Sequence, residues 1–196
     1  MSAQNGTTKG RLIAVEGSGG RSMAVAARRL QRDLKREKVE SGICVWDASA
    51  IFFQILNGER GIAAPSPRTL ILLYAADLAF RLRWEIRPAM EEGTTVIASP
   101  YLESVIAFGR AAGLPRMWLK NIFDFAPAPD TVWRVPEGSA EISRKVGLAD
   151  SFLEFSLSQL RRGPALWDTE EIRRGFHYHL ERLEARGKCR VAGAAS

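Results

Sequence analysis

Residues Arg11 to Leu30 read RLIAVEGSGGRSMAVAARRL. A short apolar run, Leu12 to Val15, ends in Glu16; glycines follow, then a basic residue, a serine and a helix-forming stretch. Such an apolar run bounded by turn residues is the pattern of a strand buried on both faces. Met23 to Lys38 reads as an amphipathic helix, with Ala27, Leu30 and Leu34 on one side and arginines and lysines opposite. Strand, glycine turn and helix are the frame of a phosphate-binding loop, whose working form is G-x-x-x-x-G-K-[ST]. This chain does not contain that form. Counted from Gly17 without a gap, Met23 stands at the lysine position and Ala24 at the hydroxyl position. A two-residue gap aligns Arg21-Ser22 with Lys-Ser, in a loop two residues short. Two readings of Gly17, Ser18, Gly19, Gly20, Arg21 and Ser22 stay open. They form a plain turn with a solvated arginine, or they keep a weak anion site at a helix N-terminus.

The rest of the chain extends this pattern. ICVW (Ile43 to Trp46), TTVIAS (Thr94 to Ser99) and TVWRV (Thr131 to Val135) read as strands, and CRVAGA (Cys189 to Ala194) as a fifth. GERGIAAPSP (Gly58 to Pro67) carries the Gly and Pro punctuation of a loop. A long helical stretch from Arg68 to Gly93 is broken or kinked at Pro88, and another helix spans Thr169 to Arg186. Strands separated by helices imply right-handed crossovers and a parallel α/β sheet covered on both faces.

Composition bounds the class. The 196 residues are 46% hydrophobic and 26% charged, which suits one globular domain. The first ten residues, MSAQNGTTKG, are polar and read as a flexible tail before a single domain from residue 11 to 196. No apolar run is long enough for a membrane span, and the distant Cys44 and Cys189 suggest neither a disulfide framework nor a zinc site. Together these point to the cytoplasm. The net charge of +6 is spread along helices without a dense block, so nucleic acid is not the expected partner.

With the order of elements in place, LLYAADLAFRLRWEIRPAMEEGTTVIASPYLESVIAFGRAAGLP resembles the middle of thymidylate kinases. There the family carries Ala-Asp-Arg on a helix, I-x-P-A-L, a glycine and a strand ending in Asp-Arg-Tyr. A serine, Ala-Tyr-Gln and Gly-Leu-Pro follow. Here these positions read Ala76-Asp77-Leu78, Ile86 to Met90, Gly93, Ser99-Pro100-Tyr101, Ser104, Ala107-Phe108-Gly109 and Gly113-Leu114-Pro115. APDTVWRVPEG and the late stretch IRRGFHYHLERLEARGKCRVAGA also look like family segments. The resemblance implies a three-layer, P-loop NTPase-like fold with a five-stranded parallel sheet and helices on both faces. It also implies a lid-like region at about 144–163 and a homodimer formed through the long helices.

The charged positions of the family are the ones that differ. Besides the loop lysine, the family's Asp-Arg is Ser99-Pro100, its acceptor-phosphate arginine is Leu78, and its Arg-Glu-Pro is replaced within VWDAS (Val45 to Ser49). Phosphoryl transfer rests on positioning and charge stabilisation. A charged hydrogen bond is worth ~1.5–3 kcal/mol, so two losses cost roughly 3–6 kcal/mol. Arg81, one turn beyond Leu78, Arg68, Arg110 and the lid arginines Arg144, Arg161 and Arg162 are the candidates for compensation, beside solvated readings of Arg81 and the lid arginines. Tyr74 stands where the family stacks an aromatic on thymine, and Tyr101, Ser104 and Phe108 at further pocket positions, unless all four simply fill the core. Gly109 replaces the family's base-reading Gln. Glu16, at the family's E-G position, braces the loop. His177 and His179, two apart on a helix, face different directions and do not form a metal-binding pair.

The expected function is a thymidylate-kinase-like module with degraded phosphate and acceptor motifs, binding nucleotide or nucleoside weakly without catalysis. An active nucleoside monophosphate kinase, using ATP and Mg²⁺ through rebuilt contacts, is the alternative. A basic nucleic-acid adaptor is the second.

Overall fold

The computed structural model describes residues 9–46, 65–136, 152–161 and 167–193, with side chains as far as residue 183. Strands β1 (Leu12–Glu16), β2 (Ser41–Val45), β3 (Thr95–Ser99) and β4 (Thr131–Arg134) alternate with helices. These are α1 (Gly20–Arg36), α2 (Pro67–Arg81), α3 (Arg87–Glu91), α4 (Glu103–Ala111), α5 (Arg116–Ile122), α6 (Phe152–Arg161) and α7 (Thr169–Gly193). The four strands form one sheet of order β2-β3-β1-β4, and every pairing is parallel.

The alternation of side chains along β1 divides the core between the two faces. Ile13 and Val15 pack with Met23, Ala27 and Leu34 of α1. Leu12 and Ala14 join the larger cluster with Leu70, Tyr74, Leu78, Phe108, Phe152 and Phe155 from α2, α4 and α6. Both faces of the sheet are therefore covered, as the continuous apolar strands imply.

One strand expectation is corrected. Among the described residues the sheet has four strands, and Cys189 to Gly193 lie at the end of α7 instead of in a fifth strand. Ala194 lies outside the described residues. Asp168 starts α7 firmly: its Oδ1 accepts the N–H groups of Glu170 (3.0 Å) and Glu171 (2.9 Å). Acidic residues in the first turn suit the helix dipole, and no proline follows before Gly193 to stop propagation. Given a running helix, the short CRVAG stretch extends it.

The break at Pro88 takes a specific form. A π-helical turn, Leu82–Ile86, separates α2 from α3. Proline lacks the N–H that would bond the carbonyl one turn back, and a widened turn accommodates that loss. At the other end Ser66 caps α2 by accepting the Thr69 N–H at 3.1 Å, with Pro67 at the first helical position. Residues 58–64 of the expected loop, like 1–8 of the tail, lie outside the described residues.

Inside this core lies an ion pair. Arg81 and Asp77 are both fully buried, with Nε donating to Oδ2 at 2.7 Å. The guanidinium carbon sits 5.5 Å from the centre of the Tyr74 ring. A buried pair is costly to break but often replaceable by apolar residues of similar volume. Arg81→Met should therefore lower unfolding free energy by about 3–5 kcal/mol, since it strips Asp77 of the guanidinium. The double variant Asp77→Leu/Arg81→Met should return close to the wild-type value. Urea denaturation of both measures this, and a single variant as stable as wild type would refute it.

Candidate functional site

Ligands of open parallel sheets bind beyond the carboxyl ends of the strands, where the strand order reverses. Here that place is the junction of β1 and β3. β1 ends at Glu16, three residues (Gly17 to Gly19) form the turn, and α1 starts at Gly20. Gly19 is the N-cap, with no side-chain hydrogen bond to the helix. Arg21 and Ser22 thus stand in the first helical turn, where the gapped register places them against Lys-Ser.

Met23 points the other way. It is 2% exposed and belongs to the cluster with Ile13, Val15 and Ile97. The turn is also pressed against its surroundings: a Cβ on Gly17 would stand 3.1 Å from the Val135 carbonyl oxygen and 3.3 Å from Met23 Cγ. Close packing alone accounts for a glycine at this position.

Glu16 holds the junction together. Its buried carboxylate accepts Glu103 N–H at 2.9 Å, Ser104 N–H at 3.0 Å and the Ser104 hydroxyl at 2.6 Å. The Ser104 hydroxyl oxygen accepts Gly17 N–H at 3.2 Å. Leu102 supplies no side-chain cap for α4, so Glu16 takes that role from another element. Burial pushes the Glu16 carboxyl above its ordinary range, while these hydrogen bonds pull against the shift. Next along the edge, Arg134 at the end of β4 forms a bidentate pair with Glu103, at 2.8 and 2.5 Å. No local pattern marks Glu103 or Arg134, because they are 31 residues apart and meet only through the sheet. A cavity of about 300 Å³ opens beside them, lined by Ser18, Arg134, Val135, Pro136, His177 and Glu181, among others.

The acceptor-side residues are placed in the interior. Ser99 and Pro100 are joined by a cis peptide bond. The Tyr74 hydroxyl donates toward the carbonyls of Pro100 (3.0 Å) and Tyr101, and its ring meets Phe152 edge-on at 4.9 Å. Tyr101 donates to the Pro127 carbonyl at 2.8 Å, and Phe108 packs edge-on against Phe152 at 5.5 Å. Tyr74, Leu78, Arg81, Tyr101 and Phe108 have no exposed surface, and Ser104 is nearly as deep. Arg81 Nη1 and Nη2 have no hydrogen-bond partner among the described residues. Nearby, the Cys44 thiol is pushed up to about 12, mainly by burial. At Gly109 a Cβ would lie 2.6 Å from Leu119 Cδ2, so any side chain there requires Leu119 to shift.

Of the lid arginines, Arg161 ends α6 on the surface and pairs with Glu170 at 3.2 Å. Arg144 and Arg162 lie outside the described residues, as do 47–49 of VWDAS. Among the described residues, those at the turn and at the end of β3 do not fit a Mg²⁺·ATP complex of the kind the resemblance implies. The turn is short and packed on Val135, Met23 fills the core, and Ser99-Pro100 offers neither carboxylate nor guanidinium.

No protein-family model matches the chain. Curated relatives do. It is 38% identical to a probable thymidylate kinase of Pyrococcus abyssi over 92 residues, 46% of this chain and 45% of that protein. A probable thymidylate kinase of Thermococcus gammatolerans is 30% identical over 132 residues, 63% of this chain and 64% of that protein. The thymidylate kinase of Synechococcus sp. (strain CC9605) is 31% identical over 138 residues, 68% of this chain and 61% of that protein. The chain thus matches less than two thirds of the length of each of these relatives. With a parallel sheet and a glycine turn leading into α1, the chain is similar to thymidylate kinases over the matched part of its length.

Proposed function

We propose that this chain is a thymidylate-kinase-like binding module that holds nucleotide-type anions weakly at Gly17 to Ser22 and does not transfer phosphoryl groups. Met23 carries this reading. It is a core residue beneath the turn, so the ungapped lysine position is committed to packing. In the gapped register Arg21 takes the lysine's place, but a turn two residues short presents fewer N–H groups to a phosphate. What remains is the start of a helix with an adjacent guanidinium, suited to holding an anion and poorly suited to stabilising a transferring phosphoryl group.

The second reading, an active nucleoside monophosphate kinase using ATP and Mg²⁺, draws on Arg81. Its two Nη groups are buried and have no hydrogen-bond partner among the described residues. An opening of α2 would be needed to bring a phosphate to them, because the side chain has no exposed surface. The homodimer is likewise our proposal. Leu72, Phe80 and Trp84 are 45%, 42% and 61% exposed and follow one another at helical spacing along α2 and the π-helical turn.

ADP release from ATP, Mg²⁺ and dTMP should stay at background for the purified chain. A kcat near the ~1–100 s⁻¹ of kinases would overturn the reading. Met23→Lys should not restore turnover, and it should lower Tm, because it buries an ammonium in an apolar cluster. Pyrophosphate titrated by calorimetry should bind weakly, and Arg21→Ala should weaken it about tenfold, the equivalent of one charged hydrogen bond. Unchanged affinity would remove Arg21 from the site. In light scattering, Phe80→Glu/Trp84→Glu should convert a dimer to a monomer; a wild-type monomer at micromolar concentration disposes of the dimer.

A further inference from the structure

Helix α7 borders two different cavities. His177, Leu180 and Glu181 line the one beside the glycine turn. His179, Arg182 and Leu183 line another, together with Ile106, Ala107 and Arg110 of α4 and Arg116 of α5. At about 100° per residue these two sets fall on opposite faces of the helix. Arg110 also lies seven residues along α4 from Glu103, roughly 10 Å from the Glu16 junction. We propose that this second cavity is a binding site for a phosphate dianion, free or carried on a small organic body, separate from the glycine turn.

Three arginines surround a concavity of about 240 Å³, and no acidic residue lines it among the described residues. Like charges gathered around one space repel each other unless an anion fills it. Two of the guanidiniums are already positioned. Arg110 Nη1 donates to the Leu114 carbonyl at 2.9 Å. Arg182 Nη1 donates to the Tyr178 hydroxyl at 2.7 Å, with its guanidinium 5.5 Å from the centre of that ring. Positioned guanidiniums with remaining N–H edges suit bidentate recognition of phosphate. Arg116 adds an exposed cation at the start of α5, and Ile106, Ala107 and Leu183 supply apolar lining. The volume falls below the ~300–1,000 Å³ of sites for drug-sized ligands, so the occupant is small.

His179 reports on the site. The charged groups lining its cavity are Arg110 from α4, Arg116 from α5 and Arg182 on its own helix, and the Tyr178 ring contacts the imidazole. Burial, Arg110 and Arg182 together hold the imidazole below its ordinary range. An anion between these arginines offsets that repulsion and raises the imidazole pKa, so binding favours the protonated form of His179.

The test is an NMR pH titration of His179 in the full chain, with and without inorganic phosphate, and separately with ribose 5-phosphate. The expected result is a rise of about one unit or more on saturation, the size of shift an adjacent opposite charge produces. Affinity should fall at least tenfold in Arg116→Gln/Arg182→Gln and stay unchanged in Arg21→Ala. Arg116→Gln alone, altering an exposed side chain, should show a smaller loss and keeps the test readable if the double variant unfolds. Similar affinity for both probes identifies the free ion as the ligand; tighter ribose 5-phosphate binding identifies a sugar phosphate. An unmoved His179, undiminished affinity in the Arg116 and Arg182 variants, or binding of single-stranded DNA without either small probe would overturn the proposal.

Discussion

The Glu16 carboxylate, buried where β1 ends, is the contact through which the carboxyl edge of the sheet is organised. It takes the first N–H groups of α4 and the Ser104 hydroxyl, and Ser104 in turn holds the Gly17 N–H. Glu103, in the same first turn of α4, locks Arg134 at the end of β4. One acidic side chain therefore sets the glycine turn, the start of α4 and, through its neighbour, the end of β4. A carboxylate without these donors would be costly at such depth. With them it serves as a helix cap supplied by another element.

Around that junction the interior is built mainly from apolar and aromatic side chains. Met23 anchors α1 to β1 and β3 from the position a loop lysine occupies in the ungapped register. Tyr74 spends its hydroxyl on the backbone of Pro100 and Tyr101, and Phe108 and Phe152 close around it. The Asp77–Arg81 pair stands as a charged element inside this core, and Arg81 Nη1 and Nη2 have no further hydrogen-bond partner among the described residues.

Much of the architecture was legible in the sequence because it depends on short-range periodicity. LIAV and TVIAS are continuous apolar runs, and they became the two fully buried central strands. The punctuation at Pro67 and Pro88 marked a helix start and an irregular turn through the missing proline N–H. The same reasoning failed at CRVAGA. A β-branched residue within a short segment argues weakly for a strand, and a helix already propagating from Asp168 overrode it.

Residue identity and spacing alone were enough for the α/β class of fold, the position of the glycine turn and the absence of the G-x-x-x-x-G-K-[ST] form from Gly17 to Ala24. Only the tertiary structure decided that α1 begins at Gly20, that Met23 faces the core and that Arg81 turns inward onto Asp77. It also decided the meeting of Glu103 with Arg134 and the gathering of Arg110, Arg116, His179 and Arg182 around one cavity. Those outcomes depend on which elements the sheet order brings together. Contacts between residues far apart in the chain leave no local pattern from which they can be read.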